Sequence, residues 1–389
     1  MHLLKNRRIL IGVTGGIAAY KTAQLIRDLR KLGADVRVIV TPFTRSFVGD
    51  MTFETLSGNR VSADWSEDPL AHINLARWAE VFLIAPCTVN TLSKIALGIG
   101  DTLLTTTVLA YDRTLLIAPA ANTVMFRNPA VQENLRKLRE RGILIIEPER
   151  GLLACEEEGE GRLADPERLK DWILWALHPK PLEGKRILLT CGATREYIDP
   201  VRFVSNESSG EMGFSLARVA RWMGAQVKVI AGFTTAPEPP ETDVVRVKTA
   251  EDMRRAVLEE FGNADVVIMN AAVADYRPLR TSDRKIKKGG KLILELEQTP
   301  DILAELGRKK KTQILVGFAL ESEELLKNAR KKLKLKNLDM IVANPPEVMG
   351  AGHHKGYLIT ASGFEEFAFE SKIESALFIM NRISKLTAS

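Results

Sequence analysis

"RRILIGVTGGIAAYKTAQLIRDLRKLGADVRVIVT", residues 7–41, decides the fold. It opens on a run of Ile, Leu and Val that ends in glycines, the pattern of a buried strand. Apolar positions then recur at helical spacing from Ile17, and Gly33 suits the turn that closes such a helix. "ADVRVIVT" (34–41) is a second strand. Strand, helix and strand in succession make a βαβ unit, with parallel strands and a right-handed crossover. Further strands are expected at 80–86, 114–120 and 142–148, with helical patterns between them. The first half therefore reads as an open, doubly wound parallel sheet.

"HPKPLEGK" (178–185), with two prolines and a glycine, interrupts this grammar and reads as a linker. "KRILLTCGATRE" (185–196) then echoes "RRILIGVTGGIA", and the α/β pattern restarts. A helix is expected over 213–225. Strands are expected over 226–233 and near 265–270, 313–318, 338–343 and 356–360. The fold class is α/β with two Rossmann-like domains, residues 1–178 and 185–389, joined by 179–184. Convergence explains so short an echo as well as duplication does.

A chain of 389 residues is long for one domain. No stretch approaches the roughly 20 apolar residues of a membrane span, and the start carries no signal-peptide pattern, so a cytoplasmic location is expected. Cys87, Cys155 and Cys191 show no paired spacing, which argues against a disulfide framework or a zinc site. The net charge of +6 is uneven: residues 284–336 hold 15 Lys/Arg against 7 Asp/Glu. An anionic ligand for the second half follows.

A dinucleotide fold wants G-x-G-x-x-G and an acid at the end of the second strand. Here the glycines are Gly12, Gly15 and Gly16, and "VIVTPFT" carries no acid. Amides at the start of the 17–33 helix can hold one phosphate, with hydroxyls from Thr41 and Thr44, which fits a mononucleotide such as FMN. The strand-end loops "APCTVNTLSK" (85–94), "GIGDTLLTTT" (98–107) and "APAANTVM" (118–125) offer small, hydroxyl and amide groups for the edge of a flat ring. Ordinary turns use the same residues.

In the second half, 18 residues or so separate the first strand from its helix, far beyond the usual 2–6. Asn206, Ser208, Ser209 and Gly210 would form a polar cradle there, with Arg202 as a bidentate partner for an anion. "RKIKKGGK" (284–291) sets basic residues beside a glycine pair, so the segment carrying Lys285 reads as a loop that closes over a polyphosphate. Lys332 and Lys336 are four apart and share a helix face, where both could reach one triphosphate. No Walker motif occurs.

These motifs also carry a family resemblance over nearly the whole chain. "GGIAAYK", "AHINLARWAEVFLIAPCTVNTLSKIA", "PAANTVM" and "LLACEEEGEGRLADP" resemble the flavin-dependent cysteine decarboxylases, specifically phosphopantothenoylcysteine decarboxylases. "SNESSGEMG", "NAAVADYRP", "KIKK", "TPDIL" and "GFALES" resemble phosphopantothenate–cysteine ligases, in the order of the bifunctional coenzyme A biosynthesis proteins. For the first half the resemblance implies an FMN site at Gly15, Gly16, Ile17, Thr41, Thr44, Pro86, Thr88, Asn90, Thr105 and Thr106. It makes His72 the base that primes oxidation of the cysteinyl thiol, and Asn122 a ligand of the substrate carboxylate. It places Gly161 and Arg162 on a substrate flap and makes Cys155 the final proton donor. Glu156, Glu157 and Glu158 beside that cysteine disfavour its thiolate, which suits an acid. Gly151, Gly159 and Gly161 would let the flap move.

For the second half the resemblance implies CTP with Mg2+ and an acyl-cytidylate that the amine of cysteine then attacks. The matching nucleotide positions are Asn270, Ala271, Asp275, Lys285, Pro300, Asp301, Ile302, Leu303, Phe318, Lys332 and Lys336, with Asp275 a metal ligand. Asn206 would handle the acyl-cytidylate. Four positions depart from the family: Ala121 stands where methionine is usual, Gln298 where lysine is frequent, and Glu207 and Glu211 replace neutral or basic neighbours. The expected partners are phosphopantothenate, cysteine and CTP, with neither nucleic acid nor membrane. A homo-oligomer of decarboxylase trimers joined by ligase dimers is also implied. Three rivals remain: a peptidyl-cysteine decarboxylase fused to an unrelated α/β domain, a nucleic-acid binder, and a non-catalytic flavoprotein. The lysine-rich segments lack interleaved aromatics, which disfavours nucleic acid.

Overall fold

The computed structural model describes residues 3–66, 68–153, 156–320, 324–345 and 354–387. The chain divides into two compact units, Met1–His178 and Pro179–Ser389.

In the first unit β1 (Arg8–Val13), α1 (Ala19–Lys31) and β2 (Asp35–Val40) form the expected βαβ unit. α2 (Asp50–Ser57), β3 (Val61–Ser62), α3 (Ala71–Trp78), β4 (Val81–Cys87), α4 (Val89–Leu97) and α5 (Leu103–Leu109) follow. Then come β5 (Thr114–Pro119), α6 (Thr123–Arg127), α7 (Pro129–Glu140) and β6 (Leu144–Ile145). A hairpin of β7 (Glu149–Leu152) and β8 (Glu158–Arg162) precedes α8 (Pro166–Leu177). The sheet runs β3-β2-β1-β4-β5-β6, all parallel. β4 is buried along its whole length, as a central parallel strand must be. Leu10, Phe82, Ile84, Leu103, Leu104 and Leu135 pack one face, while α1 and α8 cover the other. The 142–148 run forms only two residues of strand, at the sheet's edge.

The second unit holds β9 (Arg186–Cys191), β10 (Arg195–Tyr197), β11 (Phe203–Ser205), α9 (Glu211–Trp222), β12 (Gln226–Ala231) and β13 (Asp243–Arg246). α10 (Ala250–Phe261), β14 (Val266–Met269), β15 (Tyr276–Pro278), β16 (Leu296–Gln298), α11 (Ile302–Lys309) and β17 (Ile314–Leu320) come next. α12 (Leu325–Leu335), β18 (Met340–Asn344), β19 (His354–Thr360), β20 (Gly363–Phe369) and α13 (Lys372–Thr387) complete it. The main sheet runs β13-β12-β9-β14-β17-β18-β19-β20, parallel up to β18 and antiparallel beyond. The long loop after β9 is not structureless, because β10 and β11 pair within it. The stretch expected as a linker packs onto this unit: Leu182 is fully buried and its amide donates to the Met223 carbonyl at 2.9 Å.

Strand order reverses between β1 and β4 in one sheet and between β9 and β14 in the other. At such a switch point the neighbouring connections leave in opposite directions and open a crevice at the strands' carboxyl ends. In the first unit buried threonines brace it. Thr14 Oγ1 donates to the Pro86 carbonyl at 2.7 Å and accepts the Thr88 amide at 2.9 Å, and Thr22 Oγ1 donates to the Ala85 carbonyl at 2.7 Å. Thr22→Val keeps the shape but strands a buried carbonyl, so it should lower the stability of the first unit by ~1–3 kcal/mol. Denaturant unfolding followed at the first unit's tryptophans checks this, and an unchanged midpoint refutes it.

Candidate functional site

The turn from β1 into α1 is shaped by one close contact. A Cβ on Gly15 would lie 2.7 Å from the Phe43 ring and 2.8 Å from its backbone carbon, so only glycine fits. The Gly15 amide donates to Thr41 Oγ1 at 3.2 Å. The amides of Gly16, Ile17 and Ala18 have no partner among the described residues, as expected for the first turn of a helix. They head α1 toward a cavity of about 710 Å³. Gly16, Ile17, Pro86, Thr88 and Val89 line one side of it, and Ala121, Asn122 and Met125 another. Leu152, Leu153, Gly161, Arg162 and Leu163 of the β7–β8 hairpin and its flanks complete the wall. The size lies in the range of small-molecule sites, and the lining is mostly apolar.

The hairpin is docked rather than loose. The Ala121 amide donates to the Gly161 carbonyl at 2.9 Å, and Thr123 Oγ1 to the Glu160 carbonyl at 2.8 Å. Gly161 has a φ of +119°, and a Cβ there would lie 2.2 Å from the Ala121 oxygen. Arg127 pairs with Glu160 at 3.1 Å. Asn122 caps α6 by accepting the Val124 amide at 2.8 Å, and its Nδ2 lies 3.4 Å from Glu157 Oε2. Cys155, which falls between β7 and β8 in the sequence, lies outside the described residues.

Two cations share the cavity wall, Lys21 and Arg162. Burial and then the Arg162 charge push the Lys21 ammonium below its usual pKa, and its Nζ donates to the Leu163 carbonyl at 3.4 Å. A wall with this charge attracts an anion. Lys21 was missed, although it closes the quoted "GGIAAYK"; helical spacing from Ile17 and Ala18 puts it on the same turn.

Of the expected first-half residues, Gly16, Ile17, Pro86, Thr88, Asn122, Gly161 and Arg162 line this cavity. Thr41 and Thr44 are buried: Thr44 Oγ1 donates to the Val13 carbonyl at 2.9 Å and lies 3.0 Å from Thr41 Oγ1. The Thr105 hydroxyl closes the N-terminal capping box of α5, and Thr106 Oγ1 donates to the Gly100 carbonyl at 3.1 Å. Asn90 is exposed on α4. His72 is not part of the cavity wall. It stands half-buried on α3, where its Nδ1 accepts Trp65 Nε1–H at 3.2 Å.

In the second unit Gly210, at a φ of +78°, turns the chain into α9, and a Cβ on Gly213 would lie 2.2 Å from Cys191 Cβ. That contact packs α9 on the end of β9. A small cavity of about 130 Å³ is lined by residues 207–212, Asn270, Leu320, Asn344, His354 and Lys372. His354 is 4% exposed and its Nδ1 has no hydrogen-bond partner among the described residues. Burial, and then the Lys372 charge, lower its pKa to about 4, so the ring is neutral at neutral pH. Lys372 pairs with Glu211 at 2.8 Å.

Asn206 is tied by its Nδ2 to the Ala272 and Val273 carbonyls at 3.3 and 3.1 Å. The Ala271 amide donates to Thr190 Oγ1 at 3.1 Å, and Asp275 is exposed. Asp301, following Pro300, caps α11 and pairs with Lys336 at 2.8 Å; burial opposes ionisation, but Lys336 and the Ala304 amide hold its carboxyl low. Lys336 is thus paired with a carboxylate in this structure. Ile302 is core, Leu303 packs against it, and Phe318 is half-buried on β17. Arg202 pairs with Asp199 at 2.9 Å. Lys285 lies on the anchored side of the glycine pair: the next residue, Ile286, is bonded to Asp199 and Arg202. Among the described residues no group of three or more His, Cys, Asp or Glu could hold a metal ion.

Comparison with known proteins agrees in both halves. Residues 1–178 match the Flavoprotein family model, and residues 182–386 match that of the DNA/pantothenate metabolism flavoprotein C-terminal domain. The coenzyme A biosynthesis bifunctional protein CoaBC of Bacillus subtilis (strain 168) is 43% identical over 399 residues, covering 99% of this chain and 98% of that protein. A crystal structure of the C-terminal domain of a CoaBC is 41% identical, covering 53% of this chain and 97% of that one, with a TM-score of 0.47. A PPC decarboxylase mutant complexed with pantothenoylaminoethenethiol is 35% identical, covering 43% of this chain and 97% of that one, with a TM-score of 0.40.

The two glycines of the turn should behave differently. Gly15→Ala must push the 43 region aside and should cost about 1–3 kcal/mol of stability. Gly16→Ala meets nothing closer than Thr88 Cγ2 at 3.6 Å, so the fold should hold while a ligand at the cavity edge is lost. Melting curves and retained cofactor absorbance, measured on both variants, separate these outcomes. Equal melting points would refute the packing argument.

Proposed function

The chain belongs to the family of coenzyme A biosynthesis bifunctional proteins, and from that premise we propose how its two sites work. It is an enzyme of coenzyme A biosynthesis with two activities, a phosphopantothenoylcysteine decarboxylase in a flavoprotein domain and a phosphopantothenate–cysteine ligase in the C-terminal domain. A decarboxylase fused to an unrelated domain is not favoured, because the C-terminal match spans residues 182–386.

The observation that carries the first assignment is the cavity at the head of α1, closed by the β7–β8 hairpin. Its unpartnered amides and apolar walls fit FMN, with the phosphate at Gly16–Ala18. Bound there, FMN would accept an electron pair from the substrate's cysteinyl end and return it once carbon dioxide has left. Asn122 would hold the substrate carboxylate, and Arg162 and Lys21 would attract its negative charge. Cys155 would supply the last proton from the flap, and His72 would prime the thiol. Since His72 does not line its own chain's cavity, this reading has a neighbouring copy contribute it, consistent with the proposed decarboxylase trimers. The pair then adjoins in the assembly. A cytoplasmic location belongs to the same reading.

In the ligase half, CTP with Mg2+ would activate the phosphopantothenate carboxylate, and cysteine's amine would displace CMP. Lys285, Lys332 and Arg202 would offset charge on the leaving pyrophosphate. Asp275 would meet the metal that the nucleotide brings, and Asn206 would steady the acyl-cytidylate. Residues 207–212 and Asn270, around the smaller cavity, would hold an anionic part of the substrates. Exposed Phe203, Tyr276, Leu292, Ile293 and Leu296 offer apolar surface for a ligase dimer.

Four outcomes test this. The purified protein should be yellow and release FMN on denaturation; a folded, colourless protein that cannot be reconstituted refutes the flavin assignment. His72→Asn should block flavin reduction, whereas Cys155→Ser should reduce flavin and stall after carbon dioxide loss. Mixed oligomers of His72→Asn with Asn122→Asp should regain activity if the site is shared between copies, and stay inactive if it is not. Lys285→Gln should slow pyrophosphate release about ten- to two-hundred-fold, the loss of one charge-assisted contact, while decarboxylation is unaffected. Pyrophosphate release at the wild-type rate in single-turnover mixing would remove Lys285 from the activation step.

A further inference from the structure

The loop that carries Arg202 and the segment that carries Lys285 lie far apart in sequence, yet they meet at one carboxylate. Asp199 follows β10, and its side chain is 0% exposed. Its Oδ1 accepts the Val201 and Arg202 amides, each at 2.8 Å. That half is a common turn motif in which an aspartate bonds its own following backbone. The other oxygen does something no local turn requires. Asp199 Oδ2 accepts Arg202 Nη1 at 2.9 Å and the Ile286 amide at 3.1 Å, across 87 residues of sequence. Arg202 Nη1 also donates to the Ile286 carbonyl at 3.2 Å. A second tie lies close by: the Ser282 amide donates to the Ile198 carbonyl at 3.0 Å.

The residue before Ile286 is Lys285, so its backbone is fixed on both sides, at 282 and at 286. Gly289 and Gly290 lie beyond the clamp, and residues 287–295 are exposed. A lysine on a free loop pays rotational and backbone entropy each time it meets an anion. A clamped one is pre-placed, which matters most where charge develops during reaction. Burial opposes ionisation of Asp199, but the Val201, Arg202 and Ile286 amides and the Arg202 guanidinium outweigh it and hold the carboxyl low.

We infer that Asp199 is a positioning residue of the ligase half, fixing the Lys285 segment beside Arg202 so that both cations are presented together to the anionic substrate. The inference rests on the reading that Lys285 serves the activation step, and the test keeps the two apart. Asp199→Asn in the full-length chain keeps the size of the side chain but removes its charge and one acceptor. Amide exchange at 285–287, followed by mass spectrometry, should become roughly tenfold faster or more, and pyrophosphate release should slow by a similar factor. Decarboxylation by the same preparation should be unchanged. In a Lys285→Gln background, adding Asp199→Asn should slow release less than about twofold further, because two residues acting through one contact are not additive.

Full additivity in that cycle would show that Asp199 only supports the fold, and would overturn the inference. Unchanged exchange at 285–287 would overturn it as well. If Lys285→Gln alone activates at the wild-type rate, the activation reading falls, while faster exchange in Asp199→Asn would still establish the clamp. Should Asp199→Asn be too unstable to assay, Arg202→Gln removes one of the ties to residue 286 and leaves the carboxylate in place. Exchange at Ile286 must then rise, and no rise refutes the clamp.

Discussion

A buried threonine hydroxyl bridging two diverging strands is the constraint on which both units depend. Strand order reverses beside β1 and beside β9, so the chain ends that form each crevice lose their ladder partners there. Thr14 Oγ1 spans the gap in the first unit, donating to Pro86 and accepting from Thr88. In the second unit Thr190 Oγ1 accepts the Ala271 amide at 3.1 Å, and Thr194 Oγ1 accepts the Ala274 amide at 2.9 Å. These threonines are 0% exposed. A backbone group left unpaired at such a place would cost ~1–3 kcal/mol, so the bridging hydroxyl both stabilises the sheet and holds the crevice open. The two units reach the same solution with a threonine hydroxyl at the same kind of switch point.

Periodicity made the central strands legible, because burial on both faces forces uninterrupted Ile, Leu and Val. The edges were not. β13, "DVVR", and the ribbon of β15 and β16 mix charge with apolar residues, because each meets water on one side. The β7–β8 hairpin, "ERGL" and "EGEGR", was foreseen as a flap but not as strands. Its glycines and glutamates have low strand propensity; the strands are extended because they pair with each other and because β8 docks against residues 121–123. The 142–148 run erred the other way: its apolar content suggested a full strand, while just Leu144 and Ile145 are strand, followed by one bond from the Ile146 amide to the Ile117 carbonyl.

The candidate sites divided along the same line. Residues at strand ends, such as Gly16, Pro86, Thr88 and Asn122, fall on one cavity because sheet topology alone brings strand ends together. Thr44 and Thr105 were legible as hydroxyls, but their partners within the fold, the Val13 carbonyl and the capping box of α5, are local details that no spacing reveals. Lys372 and His354 join the smaller cavity from beyond β18, too far along the chain for any motif around residue 210 to point at them.

Charge supplies the last distinction. The basic composition of 284–336 pointed to an anionic ligand, and the structure sorts those cations by what holds them. Lys336 is committed to Asp301, Lys310 to Asp339 at 2.7 Å, and Lys309 to Glu305 at 3.0 Å. Paired cations of this kind cap helices and fasten strands, and their field at a ligand is largely cancelled by the partner. Lys285 differs because the carboxylate near it, Asp199, is saturated by amides and by Arg202. Its own backbone is fixed while its side chain is exposed. On the proposed reading, a substrate phosphate would meet a cation that is placed by the fold and has no ion pair among the described residues, and composition alone cannot distinguish that lysine from its neighbours.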